Sequence, residues 1–297
     1  MAILVDKKTR VLVQGITGNE GSRAAKEMLS YGTRVLAGVT PSKGGQEIHG
    51  VPVYDTVREA KNRHPEINAS LIVVPAFAVK DAAIEAISAG IPLINILTEL
   101  VSPKDCSEII AWAKIKGARV IGPASVGVIS PGKGKIGSIG SADVDKIFTS
   151  GPVGVISKSG GMTSEISIIL SRAGIGQSTA IGIGGEQLIG SGFSDLLMLF
   201  EQDPQTKAVV LFGEVGGGYE EQVAKHIKSK KITKPIVAVI AGKFTNRLPH
   251  GTVLGHAGAI VGKGAGSYRS KIRALKSAGV ILVDVLEDIP EAVKKLI

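Results

Sequence analysis

The chain is 297 residues long, 44% hydrophobic, and carries 39 glycines: enough apolar material for two cores, and about twice the usual ~7% share of glycine. Its net charge of +9 comes from scattered lysines beside only 4% aromatic residues, which argues against a nucleic-acid platform of clustered cations and stacking rings, while the excess suits a small polyanion. Cys106, the single cysteine, excludes a disulfide framework; the apolar run before Asp6 is too short for a signal peptide and none nears the ~20 residues of a membrane span, which together predict a cytoplasmic protein without a membrane partner.

Short β-branched runs at Arg10 to Gln14, Arg34 to Val39, Ala69 to Val74, Leu93 to Leu97 and Arg119 to Ile121 predict strands. They alternate with helical patterns at about Ser22 to Ser30, Thr56 to Arg63, Val79 to Ala89 and Pro103 to Lys116. This rhythm predicts a parallel sheet covered on both faces over residues 1–122. Between the first strand and its helix lies Gly15-Ile16-Thr17-Gly18-Asn19-Glu20-Gly21, where free amides and the helix dipole favour a phosphate. Its glycine spacing differs from the dinucleotide fingerprint, and no carboxylate closes the second strand to hold a ribose of NAD. Lys43 stands there instead, in Gly38-Val39-Thr40-Pro41-Ser42-Lys43-Gly44-Gly45, and a lysine suits the several phosphates of CoA.

After Ile121 a stretch dense in Gly, Pro and Ser reads as a linker over 123–150, followed by a second domain over 151–297. Strands are expected at Val153 to Ile156, Thr179 to Ile183, Ala208 to Phe212, Ile236 to Ile240 and Val280 to Val283. Helices fall near Met162 to Arg172, Phe193 to Glu201, Glu220 to Lys228, Ser267 to Ala278 and Ile289 to Lys295. The fold class is therefore α/β, with two doubly wound parallel-sheet domains, the first Rossmann-like and the second flavodoxin-like.

Three glycine-rich strand ends in this half precede a histidine set among small residues, Leu254-Gly255-His256-Ala257-Gly258-Ala259-Ile260. Imidazole is a competent nucleophile near neutral pH because its ordinary pKa lies near 6.5. Glu214, between glycines after the strand Ala208 to Phe212, is placed to accept the proton on the other ring nitrogen and fix the tautomer. Ser159-Gly160-Gly161 opens a helix whose free amides can hold a phosphoryl group without a metal. His250, six positions before His256, is the rival nucleophile. No Gly-x-x-x-x-Gly-Lys-Ser/Thr sequence exists in the chain, so a nucleotide and its Mg²⁺ are expected on another subunit.

The Val11 to Gly21 segment, Gly38 to Gly45, Lys135-Ile136-Gly137, Asp203-Pro204-Gln205-Thr206 and Gly255-His256-Ala257-Gly258-Ala259 occur in one order nearly end to end. In these the chain resembles the α subunit of succinyl-CoA synthetase and its relatives among acid–CoA ligases. The resemblance implies a histidine phosphorylated by ATP or GTP held on a β subunit with an ATP-grasp domain. The phosphoryl group then passes to a small organic acid, and the acyl phosphate is captured by the CoA thiol. It assigns CoA contacts to Thr17, Gly18, Asn19, Glu20, Lys43, Val74, Pro75, Leu97, Thr98 and Glu99, catalysis to His256 and Glu214, and phosphate or substrate contacts to Ser159, Gly160, Gly161 and Ser164. No metal ligands are assigned to this chain.

The pattern departs from the family at Leu100, where a glycine is usual, at Ser164 for a tyrosine, at Glu186 for an aspartate, and at Gly122-Pro123-Ala124-Ser125-Val126-Gly127. That last segment and Ser159-Gly160-Gly161-Met162 are similar to ATP-citrate lyase, so succinate is expected as the acid and citrate is the alternative. A non-catalytic CoA- or nucleotide-binding regulator is the reading from another class; it predicts a second half without a reactive centre.

Overall fold

The computed structural model describes residues 2–140, 144–260, 262 and 264–297. Two seven-stranded sheets organise them. In the first, β1 (Arg10–Gln14), β2 (Arg34–Val39), β3 (Glu47–Ile48), β4 (Val51–Tyr54), β5 (Ala69–Ile72), β6 (Leu93–Ile96) and β7 (Arg119–Ile121) lie in the order β3-β4-β2-β1-β5-β6-β7. All pairs are parallel except the β3–β4 hairpin. The central strands are buried on both faces almost throughout, as a sheet covered by helices requires, with Gln14, Ser70 and Asn95 as buried polar exceptions. The hairpin turns at His49 and Gly50, both at positive φ (54° and 80°), a pairing that fits the twist of two-residue hairpins. Neither of its strands was expected, because β3 has only two residues and Pro52 interrupts the four of β4.

The second sheet runs β14-β13-β12-β10-β11-β8-β9. Its strands are β8 (Gly127–Ser130), β9 (Gly134–Gly137), β10 (Ser150–Ser157), β11 (Gln177–Gly182), β12 (Ala208–Glu214), β13 (Ile236–Ala241) and β14 (Ile281–Leu282). The stretch expected as a linker over 123–150, of which residues 141–143 lie outside the described residues, thus supplies two antiparallel strands, β8 against β11 and β9 at the edge. Their glycines read as loop in the sequence, yet they let the backbones close up: a Cβ on Gly127 would lie 2.0 Å from the Ile136 carbonyl oxygen.

In each sheet the strand order reverses at the first long strand, β1 in one and β10 in the other, and there the following helix begins. These helices are α1 (Asn19–Ser30) and α6 (Gly160–Arg172), among α2 (Val57–Arg63), α3 (Val79–Ser88), α4 (Pro103–Lys116), α5 (Val144–Ile147), α7 (Phe193–Gln202), α8 (Tyr219–Lys228), α9 (Tyr268–Ser277) and α10 (Ile289–Lys294). Open α/β sheets bind ligands in the crevice at such a reversal, so the topology marks two sites. The halves are not independent. Val11 and Val13 of the first sheet share one core cluster with Ile156, Ile181 and Leu211 of the second. Buried Ser125 spans the junction, accepting from the Asn95 amide at 2.9 Å and donating to the Gly182 carbonyl at 2.6 Å. Cys106 is buried in α4, where burial pushes its thiol up to about 11 and keeps it unreactive.

Candidate active site

Strand β12 is buried along its whole length and delivers Glu214 at its carboxyl end. The segment that follows β13 carries His256 to it, and close approaches at Gly216, Gly258 and Gly185 hold that segment in place. Gly216 has φ +90° and passes so near the loop that a Cβ would lie 1.9 Å from the Gly258 carbonyl oxygen. The Gly258 amide donates to the Gly185 carbonyl at 2.8 Å. Gly185 lies beneath the imidazole, where a Cβ would meet His256 Cγ at 2.4 Å.

The loop so held places His256 Nδ1 2.7 Å from Glu214 Oε2. A carboxylate only accepts, so Nδ1 carries the proton and the lone pair of the neutral ring is on Nε2. The imidazole is 37% exposed and the carboxylate 10%, leaving the ring open to a reactant while its partner is shielded. The hydrogen bond that His256 donates to Glu214 raises the imidazole pKa above its ordinary 6.5, against burial and the nearby Lys158 cation, which lower it. His250 instead lines a cavity of about 280 Å³ with Thr245, Asn246 and Arg269.

Glu214 is itself embedded in buried charge that the sequence did not reveal. Lys158, directly after β10 and 2% exposed, puts Nζ 3.8 Å from Glu214 Oε1 and 5.0 Å from the centre of the Tyr219 ring. Burial lowers its pKa, offset by Glu220 and Glu214. The Glu214 amide donates to Glu220 Oε1 at 3.2 Å; the other oxygen of Glu220 pairs with Lys271 of α9, which also donates to the Gly217 carbonyl at 2.9 Å. In the sequence Lys158 is marked only as a charge at the end of an apolar strand, which does not reveal its burial. Glu220 and Lys271 look in sequence like ordinary solvated helix positions.

Helix α6 starts at the carboxyl end of β10, the neighbour of β12. Ser159 caps it, its Oγ accepting from the Met162 amide at 3.4 Å, while Gly161 is exposed and Ser164 half-buried one turn on. Gly160 is required there because a Cβ would strike Val126 at 2.2 Å. The reversal point of the second sheet therefore gathers a capped helix terminus and the strand bearing Glu214.

The first-domain candidates line the corresponding edge of the other sheet. Gly15 (φ +84°) and Gly21 make the turn after β1 possible, since a Cβ on either would fall within 2.2 Å of backbone. Gly18, Asn19 and Glu20 are exposed at the start of α1, whose N-cap has no side-chain partner. Thr17 Oγ1 donates to Thr40 Oγ1 at 3.2 Å, joining this turn to the loop after β2, where Lys43 is exposed. The Glu20 side chain is turned to Arg23, 2.5 Å away. Val74, Pro75, Leu97, Thr98 and Glu99 follow β5 and β6, and Thr98 Oγ1 ties the two ends by donating to the Val74 carbonyl at 2.7 Å. Leu100 adopts φ +60°, a left-handed conformation costing a non-glycine residue ~1–2 kcal/mol. Its amide donates across to the second half, to Glu186 Oε1 at 2.7 Å.

Residues 6–100 match the model of a CoA binding domain, and residues 156–281 that of a CoA-ligase. The succinate–CoA ligase [ADP-forming] α subunit 1 of Archaeoglobus fulgidus is 46% identical, covering 100% of this chain and 99% of the relative. The chain belongs to the succinate–CoA ligase α-subunit family. A relative from an Acholeplasma species, an ADP-forming sulfoacetate–CoA ligase subunit, is 41% identical over 96% of this chain and 94% of its own length. Among solved structures, the ATP citrate lyase of Methanosaeta concilii bound to (3S)-citryl-CoA superposes with a TM-score of 0.92 at 28% identity. That match covers 99% of this chain and 50% of the lyase chain.

As a member of this family the chain is a subunit of an acid–thiol ligase with a CoA-binding domain. That domain holds Thr17 to Glu99, and the ligase domain holds Ser159 to Ser164, Glu214 and His256. Among the described residues no helix is long and apolar enough to cross a membrane.

Proposed function

We propose that this chain is the α subunit of an ADP-forming succinate–CoA ligase, in which His256 carries the phosphoryl group between nucleotide and acid. The observation that carries the reading is the 2.7 Å pair between His256 and Glu214 in the ligase half. ATP and Mg²⁺ belong to a β subunit with an ATP-grasp domain, and the complex is cytoplasmic. His256 Nε2 attacks the γ-phosphorus, the bond to the bridging oxygen breaks and ADP leaves. Glu214 keeps hold of the Nδ1 proton and offsets the positive charge that develops on the ring. The amides of the first turn of α6, with Ser159, face the phosphoryl oxygens. A succinate carboxylate then attacks the phosphorus, and the N–P electron pair returns to Nε2. The CoA sulfur attacks the acyl carbon of the acyl phosphate; the C–O bond breaks, and the departing phosphate takes the thiol proton. CoA lies across Thr17 to Glu20, Lys43, Val74 to Pro75 and Leu97 to Glu99, where exposed amides, a lysine and glycine-permitted close approach fit its phosphates. Ser164 lines the acid site.

Citrate is the second reading, favoured by the overlap with ATP citrate lyase and by the smaller Ser164. An assay of CoA-dependent ADP formation, run with the β subunit and with succinate, sulfoacetate, malate or citrate, separates them. Succinate is expected to give the highest kcat/KM. A preference for citrate of ~10⁴, the size reached by a site built to pair with an extra polar group, would replace succinate and leave the phosphohistidine chemistry in place.

A further inference from the structure

The two proposed sites meet through one buried side chain. Glu186 is 7% exposed and follows β11 in the second half, yet its Oε1 accepts from the amide of Leu100, the residue after the proposed CoA contact Glu99. Leu100 is held at φ +60° and is 79% exposed, so this hydrogen bond, rather than packing of the leucine, anchors its backbone, one residue beyond the stretch where Thr98 is tied to the Val74 carbonyl and to the Ala124 amide. On the other side of the same short segment, Gly185 supports the His256 ring and accepts from Gly258, and a Cβ on Gly258 would lie 2.7 Å from the Glu186 carbonyl oxygen. Glu99 is near enough to His256 for its charge to add to the upward shift of the imidazole.

We infer that Glu186 is a positioning residue that sets the CoA-bearing end of β6 in register with the phosphohistidine loop, so that thiol and acyl phosphate meet at the geometry the last step needs. The inference rests on the phosphohistidine reading above and goes beyond it. Its contacts to the His256 loop run through backbone atoms of 185 and 186, which a side-chain change leaves in place. The side chain alone reaches the CoA edge. Removing that side chain must therefore separate two half-reactions: phosphorylation of His256, which needs no CoA, and transfer onward to the thiol.

The test uses the α chain assembled with its β subunit. The complex is labelled from γ-labelled ATP, then chased with succinate plus CoA while thioester formation is followed. In Glu186→Ala, labelling is expected to stay within ~2-fold of the unsubstituted complex while thioester formation slows by at least ~10-fold, in line with the ~100-fold that a misplacement of ~1 Å can cost. Glu186→Gln, whose amide oxygen still accepts from Leu100, is expected to keep thioester formation within ~3-fold. An Ala variant that forms thioester at the full rate, or that loses labelling and thioester formation by the same factor, overturns the inference, as does a Gln variant as slow as Ala. A measurement without any variant adds to this: CoA is expected to slow amide exchange over 254–259 in the unsubstituted complex, and unchanged exchange there counts against the link. Failure of the unsubstituted complex to take label at His256 is a separate result, which strikes the phosphohistidine reading itself.

Discussion

The proton on His256 Nδ1 decides what the ring can do, and Glu214 decides where that proton stays. In Glu214→Gln the cavity is filled but the acceptor is weaker and either ring tautomer is accommodated, so phosphorylation is expected to slow by ~10- to 100-fold with the fold intact. Stopped-flow labelling checks this, and an unchanged rate returns Glu214 to a structural role. The pH dependence follows from the same bond. Because the folded pKa is raised above 6.5, the stability the pair contributes is fully present below pH 6.5 and is lost as pH rises through the folded value. Nucleophilicity runs the other way: neutral imidazole accumulates as pH rises through that same value. Removing Glu214, the largest cause of the shift, is expected to move the midpoint of the phosphorylation rate profile to lower pH; a midpoint that stays put contradicts the assignment. The pairing of His256 with Glu214 was legible in the sequence because small residues flank each of them. Lys158, Glu220 and Lys271 were not, since their burial depends on β10, α8 and α9 converging, which no local pattern records.

At the scale of elements, glycines do more than turn the chain. Gly185, Gly216 and Gly258 let three loops from the ends of β11, β12 and β13 pack backbone against backbone, and the imidazole rests on the first of them. Gly185→Ala is therefore expected to fold with a loss of ~1–3 kcal/mol and to push the ring off Glu214, costing ~100-fold in phosphorylation. Labelling alongside thermal unfolding checks both parts; normal labelling in a folded variant would show that the ring is held elsewhere. Close approach also explains what the sequence hid. The parallel strands are legible because each carries an apolar core run between helical patterns, whereas the four-residue β8 and β9 each begin or end in glycine and read as a linker. The fold depends on those glycines for antiparallel pairing.

At the scale of the molecule, the two sheets repeat one arrangement: an order reversal, a helix starting at it, and loops with candidate site residues along the carboxyl edge. That much was legible, because the alternation of strand and helix fixes parallel sheets, and parallel sheets fix where ligands go. The way the halves join was not, because it depends on Ser125, Glu186 and the shared core, which are far apart in sequence. Everything proposed for the ligase half turns on one imidazole that carries phosphate. Mass-spectrometric mapping after incubation of the αβ complex with γ-labelled ATP tests it most directly. The account predicts an acid-labile, alkali-stable label on His256 that is abolished in His256→Asn and retained in His250→Asn; full labelling of His256→Asn, with loss in His250→Asn, would contradict it.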